Sequence, residues 1–134
     1  MQFVCLLLAW GWMNRSSPII RLALWWTVAL AGISIAIKFT GDFAADQSAP
    51  RLDLVRSWVS AHEQMADRAT TAMFFLGLSA ALALFVGRRK AQGSPAWCIA
   101  VVIALGVTTT ILLAFTANAG GRISHPEIRA SPLN

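Results

Sequence analysis

Apolar residues in this chain come in long blocks and do not alternate. The blocks cover 3–13, 19–39, 69–87 and 96–117, and charged residues punctuate the intervals between them. Unbroken runs of this length predict helices. At about 1.5 Å per residue the third and fourth blocks cross the ~30 Å hydrocarbon core of a bilayer; the second does so with Lys38 snorkelling and Phe39 extending the run. The first block, FVCLLLAWGWM, covers only about half that thickness and reads as the inner half of a span. With no Lys or Arg before it and no small-x-small cleavage site after it, it does not read as a secretory signal peptide. Ser17 followed by Pro18 reads as an N-cap with proline at the first helical position. The GSP turn at 93–95 is short, so the third and fourth blocks are expected to form an antiparallel hairpin.

Between the second and third blocks lies a polar interval with its own periodicity. From Pro50 onward Leu52, Val55, Val59, His62, Ala66, Ala69, Met73 and Leu76 recur at alternating spacings of three and four, the seam of a helix packed against partners. Two structures satisfy this pattern. Either the third helix begins well outside the bilayer, or an amphipathic segment over 50–62 lies on the headgroups with Trp58 as its anchor. Gly32 with Ala36, and Gly77 with Ala81, fit small-xxx-small helix packing. The Thr108–Thr109–Thr110 run reads as polar glue or as hydroxyls bonding back to the i−4 carbonyl.

Composition decides the solvent. Only 13% of the residues are charged against 57% hydrophobic, too few charges to cover a water-facing surface, so lipid is the expected surroundings. The sequence therefore predicts one domain over 1–134: an all-α, integral membrane, antiparallel four-helix bundle with an incomplete first helix. Orientation follows from the basic residues. Arg15 and Arg21 after the first block, and Arg88, Arg89 and Lys90 after the third, place loops 14–21 and 87–95 in the cytoplasm. The interval 40–68 and the C-terminus then lie outside, as in a multi-pass protein of a bacterial inner membrane.

The formal net charge is +5, yet the basic residues form no stripe; this argues against nucleic acid and makes anionic lipid headgroups the counter-charge. Cys5 and Cys98 lie in different blocks, outside any CxxC, and read as packing residues. No ionisable group lies deep in a span, which disfavours a transporter or channel. There is no HExxH and no GxSxG, so the protein reads as a non-enzyme. Besides the bilayer, the partners this pattern allows are another membrane protein or a second copy of the chain.

What chemistry there is gathers at the outer face. His62 opens the third span and His125 follows the fourth, and an antiparallel hairpin brings those two ends together. For His62 two readings stand: a haem or metal ligand on a helix face, or a histidine bonded to a carbonyl or carboxylate at a helix end. His125, in SHPEI, is a ligand or part of a turn in which proline stops the helix. Glu63 and Glu127, with Asp67 and Met65, are the further donors nearby.

The stretches FTGDFAA (39–45), AHEQMADRAT (61–70) and AFTANAGGRISHPEI (114–128) resemble an uncharacterised DUF-type family of small bacterial four-helix membrane proteins, some of them fused or adjacent to cytochrome and other redox modules. Members usually open with a His-Pro and a second histidine at the outer end of the first helix. This chain lacks both, and the resemblance implies a start about ten residues late. It also implies an outer-face cluster of Thr40, Gly41, His62, Glu63, Asn118, Gly120, Gly121 and His125. The glycines after the helix ends would permit positive φ and close approach. Two functions follow as expectations. One is a membrane component holding haem b or a transition metal at His62 and His125, with Glu63 and Glu127 as metal donors, for electron transfer. The other is a structural or assembly subunit of a membrane complex without a cofactor.

Overall fold

The computed structural model describes residues 2–48, 56–89 and 94–124. Among the described residues all regular structure is helical: α1 (Gln2–Met13), α2 (Ser17–Ser48), α3 (Arg56–Arg89) and α4 (Ala96–Ser124). α1 packs on α2 and α4, and so does α3, while among the described residues neither diagonal pair comes into close backbone approach. The four helices thus stand in a ring, each beside its neighbour in sequence, as the short connections require of an antiparallel bundle.

The core is narrow. Leu8, Leu24, Leu76, Ile99 and Val102 are fully buried, while large apolar side chains ring the outside: Trp25 is 54% exposed, Phe74 51%, Leu82 52% and Phe115 61%. An apolar belt of that extent is incompatible with a stable water-facing surface and natural in lipid. Three stretches are long and apolar enough to cross a membrane: Ser17–Gly41, His62–Arg89 and Ala96–Asn118. α1, twelve residues long, is about 18 Å and spans roughly half of such a slab.

Packing follows a heptad-like register on α3. Ala69, Met73, Leu76, Ala80, Ala83 and Gly87 are buried at spacings of four and three, and half-buried Ala66 and His62 continue the same line toward the helix start. The expected seam is therefore present from His62 onward and runs further than Leu76. Small residues on it let helices close in: a Cβ placed on Gly77 would lie 2.5 Å from the Ala31 Cβ of α2. Gly106 of α4 accommodates Cys5 of α1 in the same way, at 2.6 Å from Sγ. The hydroxyls of Thr108, Thr109 and Thr110 donate to the carbonyls of Ala104, Leu105 and Gly106, each four residues back.

Several details differ from the sequence-based expectation. Gly32 and Ala36 are exposed, and Gly32 has open space around it; α2 approaches α3 through Ala31 instead, one residue and about 100° away. Ala81 is likewise exposed, with Ala80 in the seam. α2 is apolar on every side through its span, so its sequence does not fix which face turns inward. The Ser16 carbonyl accepts the Ile20 amide, so Ser16 caps α2 and Pro18 lies one position further into the first turn than expected. α2 also continues through Thr40 and Gly41 to Ser48, and α4 through Gly120 and Gly121 to Ser124. A helical glycine costs about 1 kcal/mol relative to alanine, too little to end a helix whose neighbours favour it. α3 is unbroken from Arg56, which supports a third helix starting well before the apolar block; residues 50–55 lie outside the described residues.

Candidate functional site

α1 is too short to accompany α2 and α4 along their whole length. It covers the half of the bundle where it meets Gly106 and Ile20, and at the other end a cleft of about 440 Å³ opens among α2, α3 and α4. That size lies within the ~300–1,000 Å³ typical of small-molecule and cofactor sites. Apolar Ile37, Met73 and Leu113 line it, with Met73 buried, and its polar rim carries Lys38, Gly41, His62, Glu63, Asp67 and Thr116. The three spans end at Gly41, His62 and Asn118, so the rim sits at the edge of the apolar slab.

His62 is fixed from α4. Its ring Nδ1 lies 3.1 Å from the Thr116 carbonyl oxygen. A carbonyl only accepts, so Nδ1 carries the proton and donates; in the neutral ring Nε2 then keeps its lone pair. The same carbonyl faces the amide of Gly120, four residues on in the helical ladder. At Gly120 the missing side chain makes room for the ring, since a Cβ there would lie 3.1 Å from Cε1 and 3.4 Å from Nδ1 of His62. Gly120 serves close approach within a continuous helix, which corrects the expectation of a positive-φ residue beyond a helix end.

Lys38 on α2 faces Asp67 on α3 across the rim, with Nζ 2.6 Å from Oδ1. The two side chains are 34% and 59% exposed, so the pair contributes no more than about 1 kcal/mol. It does fix where two charges sit: Asp67 is committed to Lys38 and is less available as a ligand than Glu63, which lines the cleft and is exposed.

Of the residues expected to cluster, the structure brings Gly41, His62 and Glu63 to the cleft and sets Gly120 against the His62 ring. Thr40 does not join them. It is exposed and its hydroxyl donates to the Ile37 carbonyl of its own helix at 2.9 Å. Asn118 is exposed, and a Cβ placed on Gly121 would meet no atom within 4 Å; neither residue lines the cleft. His125 and Glu127 lie outside the described residues. Among the described residues no three His, Cys, Asp or Glu side chains converge. Sequence reasoning missed the Thr116 carbonyl as the anchor of His62, for which no residue type is a signal, and Lys38 as the partner of Asp67.

No protein-family model, curated protein or solved structure matches this chain.

Proposed function

We propose that this is a multi-pass membrane protein that binds haem b in the cleft through Nε2 of His62 and serves electron transfer at the outer face of a bacterial inner membrane. The observation that carries the reading is the His62–Thr116 hydrogen bond. A ligating histidine almost always donates its other ring N–H to a carbonyl or carboxylate, which fixes the tautomer and the ring plane, and here a cleft-lining histidine is held that way on an apolar chamber.

The donor set favours haem over a transition metal held by protein alone. A zinc or copper site wants three or four protein ligands, and the described residues offer His62 and Glu63 here. Haem asks for one or two axial ligands and an apolar slot. His62 would hold the group through Nε2, and Met73 and Leu113 would wall the slot. Bound there, haem would supply one-electron chemistry.

Expression of the full chain with haem supplied, followed by absorption spectroscopy and metal analysis of the purified protein, tests this. A Soret band is expected in the wild type, lost in His62→Ala with the protein still extracted from membranes in comparable yield. Bound zinc or copper lost in the same variant would replace haem by a metal. No Soret band and no bound Fe, Cu or Zn would sink the cofactor reading and leave a structural subunit of a membrane complex.

A further inference from the structure

A second pocket, of about 200 Å³, lies at the opposite end of the bundle, between the α1–α2 turn and the start of α4. Arg15 and Arg21 line it together with Ser17, Ser94 and Trp12. Both arginines are exposed, and among the described residues neither guanidinium meets a carboxylate. The sequence explains why: every acidic residue falls within 42–67 or at 127, so none is contributed by this end of the helices. Ser17 and Ala96, also at the pocket, open α2 and α4, whose positive dipole ends add to the field.

The backbone at Arg15 gives an independent reason to think its charge matters. The Arg15 amide donates to the Trp12 carbonyl and the Ser16 amide to the Gly11 carbonyl, the paired bonds of a Schellman helix end. Arg15 occupies the left-handed position of that motif, with φ 50°. Glycine adopts this conformation freely, whereas a residue with a Cβ is strained in it. Local stability therefore favours glycine, and what arginine adds is a guanidinium held over the pocket. Trp12 and Trp97, 44% and 63% exposed, stand at the same edge of the apolar slab, where indoles sit at the headgroup level.

We propose that this pocket binds a phosphate-bearing anion, the headgroup phosphate of an anionic phospholipid, with Arg15 and Arg21 as its charged donors and the Ser17 hydroxyl as a neutral one. Guanidinium groups match phosphate oxygens in geometry and charge, and the site's place at the slab edge brings lipid phosphate to it at high local concentration. A soluble phosphate presents the same chemistry, and the two sources separate by experiment.

The full chain, purified in mild detergent, is titrated with phosphatidylglycerol or phosphatidylcholine, and retained lipid is counted by native mass spectrometry. Retention of phosphatidylglycerol over phosphatidylcholine is expected. Arg15→Gly and Arg21→Gln should each weaken it about five- to tenfold, with Arg15→Gly melting no lower than the wild type. Arg88→Gln, at the same end but outside the pocket, should leave it unchanged. Inorganic phosphate that displaces the lipid at similar concentration would assign the site to a soluble anion; failure to displace it assigns the site to lipid. Equal retention of both lipids, undiminished retention in the two pocket variants, or an equal loss in Arg88→Gln would overturn the proposal.

Discussion

At the residue scale the cleft depends on one carbonyl and one missing methyl group. Thr116 orients the His62 ring, and Gly120 leaves the space the ring occupies. A Cβ at 3.1 Å from Cε1 is tighter than van der Waals contact, so Gly120→Ala must push the imidazole outward by a few tenths of an ångström and weaken its bond to Thr116. The same change improves helix propensity by up to about 1 kcal/mol. The two effects act on different observables: the proposed haem site predicts that affinity in Gly120→Ala falls about tenfold, a loss of ~1.4 kcal/mol, while the thermal midpoint of the haem-free protein stays level or rises. A haem titration beside a melting curve reads both, and an unchanged affinity would remove Gly120 from the site. That His62 faces a partner was legible in the sequence because the spacing of Val59, His62, Ala66 and Ala69 has a period of its own. Its acceptor was not legible, because a backbone carbonyl carries no sequence signature.

At the scale of elements the bundle is set by how closely helices approach, and small residues decide this only on the face that turns inward. Gly77 faces Ala31, and a Cβ there would come to 2.5 Å, whereas Gly32, one residue past Ala31, has open space around it. Gly77→Ala is accordingly expected to force α2 and α3 apart and to destabilise the protein by about 1–3 kcal/mol, the usual cost of overpacking. Gly32→Ala should leave stability unchanged or slightly raised. Thermal or denaturant unfolding of the two variants in one detergent distinguishes them, and equal effects would contradict the observed rotation of α2. The number of helices, their order and the extent of the apolar spans could be read from block lengths and charges alone. Rotation about the helix axis could be read for α3, whose polar start breaks the symmetry between faces. It could not be read for α2 or α4: a segment bound for lipid is apolar outside as well as inside, and hydrophobicity then no longer marks the core. Helix ends were hidden for a different reason, since α2 and α4 run on past the slab through Gly41, Gly120 and Gly121, whose cost of about 1 kcal/mol each does not end a helix.

At the scale of the whole molecule the two ends of the bundle differ chemically, and that difference predicts how the protein sits in a membrane. Arg15, Arg21, Arg88 and Arg89 mark one end; Lys38, Glu63, Asp67 and His62 mark the other, with charges of both signs. Basic residues crowded into short connections resist translocation, so the arginine end is expected in the cytoplasm and the His62 cleft outside it. Each end offers an exposed position for a reporter thiol, Arg89 and Glu63, once Cys5 and Cys98 are replaced by alanine to give a silent background. In intact cells a membrane-impermeant maleimide is expected to label Glu63→Cys and to label Arg89→Cys only after permeabilisation. The reverse pattern would invert the bundle and place the cleft in the cytoplasm, where a haem-bound His62 would face soluble cytoplasmic electron carriers. The pocket at Arg15 would then meet the opposite leaflet. Labelling of both positions in intact cells would mean that α3 does not cross the membrane or that the population inserts in both orientations, and either result contradicts the expected topology. Because α3 alone joins the two positions, the experiment reads the crossing of a single helix, His62–Arg89, and is insensitive to how far α1 extends.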